Sequence, residues 1–142
     1  MPIRTAEAVW EGTSREGKGI VRAEGGGVEG PYSYASRFED GKGTNPEELL
    51  AAAHAACFAL ALSSRLSKAG TPPRQVRARS NVSIDKVAGD WSVTGIRLEV
   101  EADVQGVSPA DFDRLAEDAK VNCPISRALK AVPISLEARL AG

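Results

Sequence analysis

The feature that most constrains this chain is a long apolar run in residues 45–68, NPEELLAAAHAACFALALSSRLSK. From Leu49 to Leu62, His54 is the one residue that is not apolar. Because a helix that is hydrophobic on every side has no face for water, it must lie inside the protein or against a second subunit. The apolar run is too short to span a membrane. We therefore expect a central helix, packed on all sides.

Both ends of this helix carry recognisable signals. Asn45 provides an N-cap side chain, and Pro46 suits the first helical position. Glu47 and Glu48 follow, where acids are favoured by the positive end of the helix dipole. Gly70 is a typical helix stop. The sequence predicts a helix over 45–68.

The whole chain has the size of one domain, with 142 residues, and we interpret 1–142 as a single domain. A formal net charge of −1 gives no basic footprint for nucleic acid or for an anionic membrane surface, so neither partner is expected. The N-terminal MPIRTAEAVW contains no apolar run of signal-peptide length, which predicts a cytoplasmic protein. Two cysteines are too few for a disulfide framework.

The segments before the central helix predict strands. Residues 4–11 and 20–23 read as a hairpin, and residues 32–38 alternate, with Arg37 opposite the aromatic side chains. The glycines between residues 25 and 30 form a linker, because they lack the strand–turn–helix setting of a phosphate-binding loop.

After the central helix, residues 76–87 and 91–104 predict a long antiparallel hairpin. Its apolar pattern slips by one residue at Thr94 and Gly95, which predicts a bulge there. A helix starts at Ser108, Cys123 and Pro124 begin a short helix over 125–131, and a final strand follows over 132–140. The fold class is therefore α+β.

The two thiols differ in their surroundings. Apolar neighbours should raise the pKa of Cys57, so a cation must lie near it if it reacts. Cys123, at a helix N-terminus, meets the positive end of the dipole. Sixty-six positions separate the two thiols, so their pairing would be a tertiary event without a CxxC signature. The residues alone leave structural and reactive roles open for each.

Three motifs resemble one family. They are TNPEELLAAAHAACF around Cys57, RFEDGKG before it and VNCPISRALK around Cys123, and they are similar to the OsmC/Ohr family of peroxide-detoxifying enzymes. The resemblance implies an OsmC-like fold, with antiparallel sheets wrapped around a long central helix, in an intertwined homodimer. It implies a thiol peroxidase that reduces organic hydroperoxides, and hydrogen peroxide less well. It implies no cofactor or metal, and a dithiol reductant, for which a lipoyl-type dithiol is one option.

The resemblance also assigns roles to four residues. Cys57 is implied to be the peroxidatic thiol and Cys123 the resolving thiol. Arg37 is implied to be the cation that activates the thiolate, and Glu47 the acid that orients Arg37. Ten residues of straight helix would place Glu47 about 15 Å from Cys57. Either the helix bends before Ala51, or Glu47 enters the site from the partner chain.

Alternatives remain for several of these residues. Thr44 with Glu47, or Asn45 with Glu48, has the spacing of a capping box. His54 lies three residues from Cys57, as a thiol–imidazole pair would, but a hydrogen-bonded core histidine is the favoured interpretation. Zinc is disfavoured, because His54 and the two cysteines lack a fourth ligand. A Cys57–His54 hydrolase and a carrier of apolar ligands are rival functions, and neither needs a second thiol near Cys57.

Overall fold

The structure of the chain is a computed structural model that describes residues 1–141. The chain forms two compact units, Met1–Leu49 and Leu50–Gly142. The interpretation of 1–142 as one domain stays a prediction.

The first unit contains a three-stranded antiparallel sheet. Its strands are β1 (Ala6–Glu11), β2 (Lys18–Ala23) and β3 (Glu29–Tyr32), in the order β1-β2-β3. The predicted N-terminal hairpin is therefore confirmed. The rings of Trp10 and Tyr32 lie 5.3 Å apart, over Gly19. A Cβ atom at Gly19 would lie 2.4 Å from the Tyr32 ring, so only glycine fits between the two rings.

A short helix, α1 (Tyr34–Phe38), follows the sheet, so the strand-like interpretation of residues 32–38 was wrong. The cause is a capping box at Ser33. Its side chain accepts a hydrogen bond from Ser36 N, and Ser36 Oγ accepts one from Ser33 N. These two bonds satisfy backbone donors that a strand would have to pair elsewhere.

The helix predicted over 45–68 is confirmed as α2 (Pro46–Lys68), whereas its packing on all sides stays a prediction. Asn45 Oδ1 accepts a 2.8 Å hydrogen bond from Glu48 N, which is the expected N-cap. Gly70 follows the last turn with a φ of +86°, where a side chain would be strained, and it donates to Ser67 O.

The expectation that the apolar run is too short to span a membrane was wrong. By length and composition, α2 is long and apolar enough to cross a bilayer. Core helices of soluble proteins pass the same test. Four side chains of α2 are buried against the rest of the chain, at regular four-residue spacing: His54, Phe58, Leu62 and Leu66.

The second unit contains a three-stranded sheet in the order β4-β5-β6. β4 (Pro73–Val87) and β5 (Asp90–Val104) form the predicted antiparallel hairpin. Ser83 pairs with Gly95 and Ile84 with Val93, so Thr94 is the extra residue of the predicted bulge. β6 (Ile134–Leu140) pairs with β5 in parallel, and an antiparallel arrangement was wrong for this strand. A parallel return is possible because two helices connect β5 to β6.

These two helices are α3 (Pro109–Asn122) and α4 (Pro124–Ala128). The side chain of Ser108 caps α3, and Cys123 caps α4, both as predicted. α4 ends three residues earlier than predicted, and β6 begins two residues later. The core of the unit joins α2, β5 and α3 through buried apolar side chains: Phe58, Leu62, Leu66, Ile96, Leu98, Val100, Ala102, Phe112, Leu115, Ala116 and Ala119.

Candidate active site

Cys57 lies on α2 and is partly exposed. Burial raises the pKa of the Cys57 thiol, and the neighbouring Cys123 raises it further. A hydrogen bond from the backbone N–H of Ile125, on α4, acts in the opposite direction and lowers this pKa. The net direction is upward, as the apolar sequence around Cys57 predicted. A nucleophilic role for Cys57 therefore requires a further group that stabilises the thiolate.

Cys123 lies beside Cys57, close enough to raise the pKa of the Cys57 thiol. It is buried, with 1% of its surface exposed, and both thiols are free. The position of Cys123 is fixed by its place at the start of α4, where Sγ accepts a 3.3 Å hydrogen bond from Ser126 N. The start of α4 therefore packs on α2 near Cys57.

His54 is fully buried one turn before Cys57 on α2. Its Nε2 lies 2.7 Å from Ser126 Oγ, and burial lowers the pKa of its imidazole. The interpretation of His54 as a hydrogen-bonded core histidine is confirmed. Nε2 bonds to a serine and Nδ1 has no hydrogen-bond partner among the described residues, so His54 forms no hydrogen bond with Cys57 here.

Ser126 is a member of the site that the sequence analysis missed. It is 3% exposed, and its hydroxyl accepts a 3.1 Å hydrogen bond from the Cys123 thiol. One signal was present in the sequence: Ser126 lies three residues after the helix cap at Cys123, at the spacing where cap and helix side chains meet. Its contact with His54, 72 residues away, has no signal in the sequence.

Arg37 and Glu47 form an ion pair in the first unit. Arg37 Nη2 lies 2.6 Å from Glu47 Oε1, and Arg37 Nε lies 3.1 Å from Oε2. This two-point geometry matches the planar guanidinium to the carboxylate. The Glu47 side chain is 12% exposed and that of Arg37 is 34% exposed. The predicted contact between the two side chains is confirmed, and the guanidinium keeps an accessible side.

Capping of α2 does not involve Glu47. Glu48 has that position, since its N–H donates to Asn45 Oδ1 and its carboxylate accepts a 2.8 Å hydrogen bond from Thr44 Oγ1. The capping interpretation of Glu47 was therefore wrong. Glu47 is left to bind Arg37.

The segment that joins α1 to α2 holds this ion pair in position. Ser36 Oγ donates to Thr44 O at 2.7 Å, and Asn45 Nδ2 donates to Ser36 O at 3.0 Å. Gly41 lies so close to α1 that a Cβ atom there would be 2.7 Å from Ala35. Gly43 has a φ of +119°. These contacts fix the end of α1, which carries Arg37, against the start of α2, which carries Glu47.

The structure thus brings the four candidate residues together in two pairs. The two thiols lie in the second unit, and the ion pair lies in the first. α2 runs uninterrupted from Pro46 to Lys68, without the break that one interpretation of Glu47 required. The catalytic roles of all four residues stay predictions. Among residues 1–141, no group of three or more His, Cys, Asp and Glu side chains is arranged to hold a metal ion.

Two free thiols in contact, one of them partly exposed, are the arrangement of a dithiol redox protein. Comparison with known proteins identifies the group more closely. The family described as "OsmC-like protein" matches residues 39–137, which include all of the candidate residues except Arg37. The chain belongs to the OsmC-like family.

Individual proteins agree with this assignment. The protein named peroxiredoxin OsmC from Escherichia coli (strain K12) is 45% identical over 129 residues, covering 90% of each chain. An organic hydroperoxide resistance protein from Xanthomonas axonopodis pv. citri is 36% identical over 95 residues, covering 63% of this chain and 62% of its own. The crystal structure of the organic hydroperoxide resistance protein OhrB of Bacillus subtilis shares the fold, with a TM-score of 0.72 at 24% identity, covering 96% of this chain and 98% of its own.

Proposed function

We propose that this protein is a two-cysteine, thiol-dependent peroxidase that reduces organic hydroperoxides to alcohols. The observation that carries the proposal is the contact between the side chains of Cys57 and Cys123 across 66 positions of sequence. The names of the relatives, a peroxiredoxin and hydroperoxide resistance proteins, support the same class of reaction. A hydrolase or a ligand carrier has no use for the second thiol.

The reaction proceeds in three steps. The thiolate of Cys57 attacks the distal oxygen of the hydroperoxide, the O–O bond breaks and the alcohol leaves, which makes Cys57 a sulfenic acid. Cys123 then attacks the Cys57 sulfur, giving a disulfide and water. An external dithiol, for which a lipoyl-type dithiol is one option, reduces this disulfide to restore both thiols. The partial exposure of Cys57 and the burial of Cys123 suit this order of events.

Arg37 supplies the positive charge that Cys57 lacks. Its guanidinium stabilises the thiolate and then the charge that develops on the leaving oxygen. Glu47 holds the guanidinium by two hydrogen bonds, which leaves its exposed side for the reactants. Because α2 is uninterrupted, we assign Arg37 and Glu47 to the site of the partner subunit in a homodimer.

A homodimer also accounts for apolar side chains that this chain leaves uncovered. On α2, Leu60 is 73% exposed. In the first unit, the exposed large apolar residues include Val9, Trp10, Ile20 and Val28. Exposure of this kind marks a surface that another chain covers. A second copy that packs against α2 would give that helix the apolar surroundings its sequence requires.

The apolar residues near the Cys57 thiol favour an organic substrate. Most residues of α2 near Cys57 in sequence are apolar, which suits an alkyl group better than hydrogen peroxide. We therefore propose that organic hydroperoxides are the preferred substrates, in a cytoplasmic enzyme that needs no cofactor.

Consumption of tert-butyl hydroperoxide by purified protein, with dihydrolipoamide as reductant, tests this proposal. Wild-type protein should turn over many times. Cys57→Ser should lose activity by about 10³-fold or more, because the nucleophile is gone. Cys123→Ser should reduce one equivalent and then stop, with Cys57 oxidised to the sulfinic state.

Two results would contradict the proposal. Full turnover by Cys57→Ser would remove the nucleophile from the mechanism, and full turnover by Cys123→Ser would remove the resolving step. A protein that binds alkyl compounds with no consumption of hydroperoxide in any form would favour the ligand carrier instead.

A further inference from the structure

A buried line of polar groups runs from Cys123 into the core. The Cys123 thiol donates to Ser126 Oγ at 3.1 Å, and Ser126 Oγ lies 2.7 Å from Nε2 of His54. All three side chains are at most 3% exposed. The steps proposed above use only the first of these groups. Two buried polar side chains therefore surround the resolving thiol without a role in the reaction.

Burial makes these contacts specific. A buried hydroxyl or imidazole is stabilised when hydrogen bonds replace its contacts with water. Nε2 of His54 has such a partner in Ser126, whereas Nδ1 has none among the described residues. A smaller apolar residue at position 126 or 54 would avoid this requirement altogether. With two fixed partners, the Ser126 hydroxyl has little freedom to rotate, because it receives the thiol hydrogen and faces Nε2 of His54.

The same contacts orient the sulfur of Cys123. Ser126 holds it at two points, since its N–H donates to Sγ at 3.3 Å and its Oγ accepts the thiol hydrogen. The hydrogen of the thiol is thereby directed toward Ser126. The lone pair of the sulfur that does not accept from Ser126 N is left for Cys57, which lies beside Cys123.

We propose that His54 is a positioning residue for the resolving step: it fixes the Ser126 hydroxyl, which in turn holds the Cys123 thiol ready to attack the oxidised Cys57. This inference rests on the proposed function. In the attack, the S–H bond of Cys123 and the S–O bond of the Cys57 sulfenic acid break, and the S–S bond forms. The Cys123 sulfur is oxidised and the Cys57 sulfur is reduced. The released proton and hydroxide leave as one water.

A test without peroxide separates this inference from the proposed function. The aryl disulfide DTNB reacts with Cys57 and releases one coloured thiolate. Cys123 then attacks the mixed disulfide, releases the second coloured thiolate and gives its proton to the buffer. Stopped-flow absorbance measures the two phases in the same protein. Failure of peroxide turnover overturns the proposed function, whereas the second phase alone tests the positioning.

The expected results concern four variants. Ser126→Ala and His54→Ala should each slow the second phase by about tenfold, the effect of one lost hydrogen bond at the reacting group, while the first phase changes by less than about twofold. His54→Gln, which keeps a hydrogen-bonding group near the position of Nε2, should recover most of the rate. Ser108→Ala is the matched control: it removes the serine cap of α3 and should leave both phases unchanged.

The double variant Ser126→Ala/His54→Ala provides the sharpest readout. Because His54 acts through Ser126, the double variant should be no slower in the second phase than Ser126→Ala. Multiplied effects would show that His54 acts independently of Ser126 and would overturn the inference. A second phase at the wild-type rate in Ser126→Ala would overturn it as well.

Discussion

The two compact units of this chain differ in what covers their apolar side chains. In the second unit, residues 50–142, apolar side chains of α2, β5 and α3 bury one another in a continuous core. In the first unit, residues 1–49, no large apolar side chain is buried, and Val9, Ile20 and Val28 are each at least 43% exposed. Strand β1 is exposed along its whole length.

The candidate catalytic residues are divided between the same two units. The second unit holds the two thiols and the line of buried polar groups behind them, where apolar surroundings raise the pKa of Cys57. The first unit holds Arg37 and Glu47, the pair that would counteract this rise. In the proposed mechanism, a reactive thiolate therefore depends on residues of both units, and a partner subunit covers the unit that carries the cation. This difference explains why a homodimer is part of the proposed mechanism.

The largest expected effect concerns the core of the second unit. Phe58→Ala should lower the free energy of unfolding by about 3–5 kcal/mol, because it leaves a cavity where a fully buried ring had been. Ile20→Ala, in the first unit, is the matched change at an exposed position and should cost less than about 1 kcal/mol in the dilute protein. Urea unfolding followed by circular dichroism measures both. Equal losses of unfolding free energy in the two variants would contradict the proposed difference in burial between the two units.

The next effect concerns the charge that the first unit supplies. Arg37→Ala should lower the second-order rate constant for hydroperoxide by about 10²–10³-fold. It should also raise the pH at which iodoacetamide alkylates Cys57, because the thiolate loses its stabilising cation while burial still raises its pKa.

The ion pair of Arg22 with Glu29 offers a control in the same unit. Both side chains are more than half exposed, so Arg22→Ala should change neither the rate constant nor the alkylation profile. An alkylation profile of Arg37→Ala that overlays the wild type would remove Arg37 from the mechanism.

A smaller effect concerns the uncovered side of α2. Leu60→Glu should weaken self-association by at least about tenfold, since it places a charge in a proposed interface. Sedimentation velocity over a range of protein concentrations measures the change. Ala69→Glu, at an exposed position just after α2, is the control. Identical sedimentation of wild type and Leu60→Glu as monomers would refute the homodimer.

Much of this fold was predictable where a periodic pattern was long enough. The central helix, the β4–β5 hairpin with its bulge at Thr94 and Gly95, and the start of α3 at Ser108 followed from spacing and caps. Helix α1 was missed because five residues are too few for periodicity, and its capping box at Ser33 decides the structure. The parallel pairing of β6 has no signal in its alternating pattern, which suits either direction.

The site was predictable to a similar degree. The family resemblance pointed to both cysteines and to the Arg37–Glu47 pair, and the structure brings the members of each pair together. Ser126 could not be singled out, because its meaning lies in contacts with His54 and Cys123 that only the folded chain creates.

The central claim, that Cys57 and Cys123 of one chain form a disulfide during turnover, can be measured directly. A mixture of ¹⁵N-labelled and unlabelled protein is treated with one equivalent of tert-butyl hydroperoxide, digested without reduction and mapped by mass spectrometry. The account predicts Cys57–Cys123 peptides that are entirely light or entirely heavy, because each chain resolves its own sulfenic acid. Mixed light–heavy peptides, or two free thiols after the hydroperoxide has been consumed, would contradict it.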